Sequence, residues 1–238
     1  LPCSSIQRLW AARELALALY LDATKTDVAN EDELKSLLEY ARPWQALATL
    51  GDIASDRHDW TAAAERYQDA LRSMRDPSQT PQDVDPAIYQ SIRKKAQDAN
   101  LASRLYVRAT SDGLAATEFR GIEIKTVALP IEFVFGKTEF TAEGERAVSD
   151  MAEILKQNTG SNIMLIGHTD PIGNDEDNLA LSQRRADAVA DYLRDHGITA
   201  PIRTEGRGRS EPYIPDQPEK YTQEERFQMD RRVELIRR

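Results

Sequence analysis

Up to about residue 110 the apolar positions fall at helical spacing. Ala, Leu, Glu, Gln and Arg dominate this stretch, and strand formers are sparse. Gln7 to Asp22 is rich in helix formers. Its Leu15, Leu17, Leu19 and Leu21 alternate with period two, but the surrounding composition favours a helix. Glu31 to Tyr40 is a second predicted helix, stopped by Pro43. Trp44 to Ser55 is a third, and Asp59 is the predicted N-cap of a fourth that runs to about Ser73, ahead of Pro77 and Pro81. Pro86 to Val107 follows, with Ile92, Ala96, Ala99 and Leu105 on one face.

After the polar, Gly-containing stretch Thr110 to Gly113 the period changes to two, which puts a domain boundary near 115–125. Ile122, Ile124 and Val127, then Leu129, Ile131, Phe133 and Phe135, place alternate side chains on one face, so strands are expected. Thr141 is positioned to cap a helix to about Lys156 that buries Val148, Met151, Ala152 and Leu155. A short strand (Asn162 to Ile166), a polar loop (Gly167 to Asp177) and a helix (Asn178 to His196) come next, with Gly197 as the stop. Ile198 to Glu205 and Arg231 to Arg237 complete a β-α-β-α-β-β order. The expected class is α+β: an all-helical module over 1–115, a linker or strand over 116–127, and a two-layer sandwich with a mixed sheet over 128–238.

Composition narrows the function. The 238 residues are 40% hydrophobic and 30% charged, with mean hydropathy −0.59. Asp and Glu outnumber Lys and Arg by 40 to 31, which argues against a nucleic-acid partner. No run of about 18 apolar residues is present to span a bilayer. The single cysteine, Cys3, excludes an internal disulfide and a thiolate cluster for zinc, so no metal or other cofactor is expected. The start at Leu1 suits a processed chain from which a signal peptide has been removed.

Two segments carry recognisable patterns. Leu50-Gly51, Ala63, Tyr67 and Ala70-Leu71 resemble one tetratricopeptide repeat, in which small residues let two helices pack closely around an aromatic. That makes the helical half a candidate docking module for a protein partner. Gly167-His168-Thr169-Asp170, Gly173, Asn178, Leu181-Ser182 and Arg185-Ala186 resemble the OmpA-like C-terminal domain family. Phe133-Val134-Phe135-Gly136 and Phe140 to Gly144 support the match before this core, and Glu205 to Gly208 and Asp230 to Glu234 support it afterwards. The stretch Gln183 to Val189 is most similar to the Pal members of that family.

That resemblance implies an OmpA-like sandwich over 128–238 that binds peptidoglycan non-covalently through diaminopimelate of the stem peptide. It implies a place in the periplasm or cell envelope, including association with the outer membrane. By the family's pattern Asp170 pairs with the ligand ammonium and Arg185, fifteen positions later, with its carboxylate. Asn178 helps hold the ligand, Leu181 packs on its aliphatic chain, and Phe135 and Gly136 form the pocket edge. Many relatives have an acidic or polar residue where Val134 or Gly136 stands, which leaves open a scaffold that no longer binds wall. The charge chemistry is sound in itself, since a carboxylate and a planar guanidinium fork match the two charges of a zwitterion.

No nucleophile with a base, carboxylate pair or metal site is arranged for hydrolysis, so an enzyme is not expected. His168 reads as a satisfied structural histidine. Asp175, Glu176 and Asp177 read as a solvated loop run, Arg231-Arg232 as paired or solvated charge, and Ser210 to Gln228, with its prolines, as an excursion of undetermined role.

Overall fold

The structure, a computed structural model, describes residues 7, 8, 10, 11, 14, 15, 18, 31–39, 41–80, 83–103, 105–110, 112–116, 118, 119, 122–134, 136–157 and 162–237. The described residues among 7–18 are helical. Cys3, Phe135 and the remainder of the first predicted helix lie outside the described residues. The chain divides into two compact units, 1–96 and 97–238.

In the first unit, α1 (Glu31–Leu37), α2 (Trp44–Asp56) and α3 (Trp60–Arg75) precede α4 (Pro86–Ala102), within which the division falls. Leu34, Leu37, Ala41, Ala46 and Leu50 form one buried cluster. Asp59 caps α3, its side chain accepting from the Ala62 amide at 3.1 Å. The α2–α3 contact is close because Gly51 has no side chain: a Cβ there would stand 2.6 Å from the Tyr67 ring. The Tyr67 hydroxyl donates to Asp52, which also accepts from Lys95.

The helix expected to reach Val107 ends at Ala102. The Asn100 side chain donates to the Val107 carbonyl at 3.0 Å, and the Ser103 hydroxyl donates to that of Leu105 at 2.7 Å. These local bonds turn the chain away from the helix. Leu105, placed on the apolar face by its spacing, is instead exposed.

The second unit contains a short antiparallel pair, β1 (Glu118–Phe119) and β2 (Ile122–Glu123), then β3 (Thr126–Leu129), α5 (Ala142–Gln157), β4 (Ile163–Gly167), α6 (Asp175–Asp195), β5 (Ile202–Gly206), α7 (Gln223–Asp230) and β6 (Val233–Arg237). The larger sheet runs β3-β6-β4-β5. β6 pairs antiparallel with both β3 and β4, while β4 and β5 are parallel, so Leu235 lies between Val127 and Leu165. Val148, Met151 and Leu155 of α5 and Ala186, Val189 and Leu193 of α6 are buried with that sheet's Leu165, Val233 and Leu235. This is the expected α+β arrangement, helices packed on a mixed sheet.

Several boundaries differ from the sequence pattern for local reasons. The alternation through Phe135 does not continue as a strand. Pro130 has no N–H, and the Ile131 amide turns back to the Leu129 carbonyl at 2.8 Å, so pairing stops at Leu129. Phe133 retains only an isolated bridge to Phe140. α6 begins at Asp175, before the expected Asn178, because Asn174 caps it by accepting from the Asp177 amide at 2.8 Å. Asp175, Glu176 and Asp177 thus form an acidic first helical turn that suits the helix dipole, not a loop. Gly197, at φ 88°, ends α6, and the Ile198 amide closes on Leu193, which delays β5 to Ile202. The excursion contains a helix, α7, started by a Thr222–Glu225 capping box.

α6 lies against β4 and β5 at two glycines. A Cβ on Gly167 would stand 2.2 Å from the Ser182 carbonyl oxygen, and one on Gly206 would stand 2.4 Å from the Gln183 nitrogen. Both obstacles are helix backbone, which cannot rotate aside. Gly167→Ala is therefore expected to lower stability by at least about 2 kcal/mol, read as a fall in the denaturant midpoint at unchanged slope.

His168 continues the β4–β6 pairing, its amide donating to the Arg232 carbonyl at 3.0 Å. Its ring is buried, but among the described residues neither ring nitrogen has a hydrogen-bond partner, and Nε2 stands 3.6 Å from Glu234. Burial, reinforced by the Arg232 charge and opposed by Glu234, pulls its pKa down to about 4. The unfolded chain therefore takes up this proton first as pH falls from about 6.5. His168 should withdraw stability progressively between about pH 6.5 and 4, by on the order of 1–3 kcal/mol. Comparing unfolding midpoints of wild type and His168→Gln across that range checks it: the variant's curve should be flatter over that interval.

Candidate ligand-binding site

The chain segments after β4, before α5 and around α7 meet the first turns of α6 at one pocket of about 540 Å³ within the second unit. Its position follows from the strand ends. His168, Thr169 and Asp170 leave the sheet after β4, and the Gly167–Ser182 approach fixes how far along α6 the next wall lies. Asn178, Leu181 and Arg185 are three, four and seven residues apart, so they share the helix face that lines the pocket. Pro130, Ile131, Glu132, Phe133 and Gly136 supply another wall. Gly136 adopts φ 68°, and the pocket edge there has no side chain. Of the six predicted residues, Asp170, Asn178, Leu181, Arg185 and Gly136 therefore line one pocket; Phe135 lies outside the described residues.

Asp170 is held in place twice. Its Oδ1 accepts the Ile172 amide at 3.0 Å, and its Oδ2 accepts from Arg231 at 2.8 Å. Asn178 donates to the Ile172 carbonyl at 3.0 Å, which ties the loop after Asp170 to α6. Asp170 and Arg185 do not pair with each other. Arg185 is only 8% exposed and has no ion-pair partner among the described residues. Its polar contact is a long 3.5 Å bond from Nε to the Lys137 carbonyl, and its guanidinium lies 5.0 Å from the centre of the Phe133 ring. Burial pulls its pKa below the ordinary value; Asp170 opposes this, while Arg231 and Arg184 add to it.

The sequence reading missed the residues from the excursion. Glu224 and Gln228 of α7 line the pocket, as do Arg231 and Arg232 just beyond it. Arg231 bridges Asp170 and Glu224, the latter at 3.1 Å. Burial works against its charge, but the bonds to both carboxylates outweigh this and raise its pKa. Glu132, in the same lining, has its pKa raised by burial, with Arg231 opposing and Glu143 adding. Arg232 pairs with Glu234 at 2.7 Å and lies 5.1 Å from the Tyr213 ring. Its Nη1 and the Thr169 hydroxyl have no hydrogen-bond partner among the described residues. A signal for Arg231 was present in the paired arginines before the last strand, but only the fold brings it to Asp170.

The pocket thus combines carboxylates, the guanidinium groups of Arg185, Arg231 and Arg232 and an apolar surface of Ile131, Phe133, Ile172 and Leu181. Such a set recognises a small molecule that carries both charges on an aliphatic frame. Among the described residues no group of three metal-ligating side chains occurs, and no helix is long and apolar enough to cross a membrane.

Known proteins resemble this part of the chain. The peptidoglycan-associated lipoprotein of Legionella pneumophila is 37% identical over 81 residues, covering 34% of this chain and 46% of that protein. Outer membrane protein A of Yersinia pseudotuberculosis is 38% identical over 91 residues, covering 37% and 26% respectively. The chain spans less than half the length of these curated relatives. Among solved structures, the peptidoglycan-associated lipoprotein from Burkholderia pseudomallei shares 25% identity over 48% of this chain and 91% of that one, with a TM-score of 0.39. The OmpA family matches residues 132–226, which span the whole of α6 together with Asp170 and Gly136 of the pocket: the chain carries an OmpA-family domain there.

Proposed function

We propose that the second unit binds peptidoglycan non-covalently through the free end of diaminopimelate in the stem peptide, and so anchors this chain, or a complex containing it, to the cell wall. The observation that carries the reading is Arg185, a buried guanidinium without an ion-pair partner among the described residues, in a pocket that also holds Asp170. A buried cation left in this state costs stability, which is understandable where an external carboxylate completes it. The free end of diaminopimelate offers that carboxylate and, on the same carbon, an ammonium for Asp170. Leu181 and the neighbouring apolar side chains suit its methylene chain, and Asn178 and Gly136 shape the entrance.

The peptidoglycan-associated relative supports the choice of ligand class. Under this reading the domain acts in the cell envelope, on the side where peptidoglycan lies, by holding its ligand without reacting with it. A single small polar ligand gives modest affinity, and the repetition of stem peptides along the wall supplies avidity.

Titration of a diaminopimelate-containing stem peptide into wild type, Asp170→Ala and Arg185→Met tests the reading, with a lysine-containing peptide as control. Both variants should bind at least about tenfold more weakly, because each leaves one ligand charge unpaired in a half-enclosed site. The lysine peptide, which lacks the distal carboxylate, should bind more weakly than the diaminopimelate peptide to wild type. Arg185→Met should also melt no lower than wild type, since it replaces an unpaired buried charge by an apolar chain of similar length. A folded wild type that shows no saturable binding overturns the anchor and leaves a protein-interaction scaffold.

A further inference from the structure

Resting on that reading, we propose that Arg231 is a built-in competitor for the ligand's ammonium: it occupies Asp170 in the free protein and is handed to Glu224 when ligand binds. Asp170 does not present an open carboxylate. One oxygen takes the Ile172 amide and the other takes Arg231, and the side chain is 15% exposed. A cationic group can reach it only by sharing or displacing that guanidinium.

The geometry provides for displacement. Arg231 is the first residue after α7 and Glu224 is on the first turn of that helix, so the guanidinium and its second partner belong to the same short element. Arg231 donates to Asp170 through Nη1 and to Glu224 through Nη2, and therefore needs only to release one branch of its fork. Glu224 is 70% exposed at its side chain and Arg231 36% exposed, which leaves room on the solvent side for the released branch. Arg231 keeps its bond to Glu224 when it leaves Asp170, so an ammonium brought in by a ligand already held at Arg185 replaces one contact and not two. A ligand without an ammonium gains nothing at Asp170, because Arg231 already masks that charge. Arg231 therefore lowers the affinity for a free-amine ligand and leaves that for a ligand without the ammonium unchanged.

Titration calorimetry on the full chain tests this with two probes: the tripeptide L-Ala-γ-D-Glu-meso-diaminopimelate, and the same peptide acetylated on its distal amine. Arg231→Gln should bind the free-amine tripeptide about 3- to 10-fold more tightly than wild type, while affinity for the acetylated peptide stays within about twofold. Glu224→Gln, an exposed change, should weaken the free-amine tripeptide about 2- to 3-fold, because the displaced guanidinium loses its second partner. Weaker or unchanged tripeptide binding by a folded Arg231→Gln, or equal tightening for both peptides, overturns the proposal. If that variant does not fold, Glu224→Gln decides alone: weakening supports the competitor, and unchanged or tighter binding rejects it. Wild-type affinity retained in Arg185→Met would instead reject the diaminopimelate reading itself, so the two failures are distinguishable.

Discussion

The closeness of α6 to the sheet governs the second unit. Gly167 and Gly206 sit at the ends of neighbouring parallel strands, and at both the helix backbone occupies the space that a Cβ would fill. The contact is reinforced by polar groups that work only at that distance. The Gly206 amide donates to the Gln183 side chain at 2.7 Å, and the Gly208 amide donates to Ser182 Oγ at 2.8 Å. Once the helix is fixed at residues 182 and 183, Asn178, Leu181 and Arg185 are fixed a turn to either side. A helix held farther away would leave Arg185 nearer to solvent, where a guanidinium is hydrated and its charge attracts a ligand less.

The pocket's electrostatics then follow from burial rather than from the number of charges. Asp170, Glu224, Arg231 and Arg185 all belong to the lining, yet they are not equivalent. Arg231 is shared by the carboxylates of Asp170 and Glu224, which raise its pKa and leave this group with a net negative charge. Arg185 is left with a ring face and a distant carbonyl, and burial lowers its pKa. Attraction for an external anion is therefore concentrated at Arg185. His168 behind it stays neutral at ordinary pH, since burial and Arg232 both disfavour a second cation there.

Local chemistry made much of this legible in the sequence. The caps at Asp59 and Thr141 and the stop at Gly197 each depend on a few adjacent residues and appear in the structure, and so does the β-α-β-α-β-β order apart from the unpredicted α7. Asp170 and Arg185 also line one pocket, as the resemblance to the OmpA-like family implied. The failures have a different origin. The strand expected through Phe135 stopped at Pro130 because side-chain alternation does not report whether a backbone amide is available for pairing. The helix expected to Val107 ended early because Asn100 and Ser103 compete for carbonyls farther along the chain.

The least legible part was the segment from Ser210 to Gln228, and the reason is distance along the chain. Arg231 is 61 residues from Asp170, and Tyr213 is 115 residues from Asp98, whose carboxylate accepts from the Tyr213 hydroxyl at 2.7 Å. The same carboxylate accepts from the Asp216 amide at 2.8 Å, so this proline-rich stretch is fastened down at two adjoining points. The Tyr213 amide adds a third bond, to Asp230 at the end of α7. Fastened in this way, the segment does not hang from the domain as a free surface loop. It delivers Glu224, Gln228 and Arg231 to the pocket, and no periodicity within the segment encodes that delivery. A charge that reads as solvated from its neighbours in sequence becomes part of a site when remote hydrogen bonds hold its element in place, and Arg231 is the residue for which that difference has a consequence.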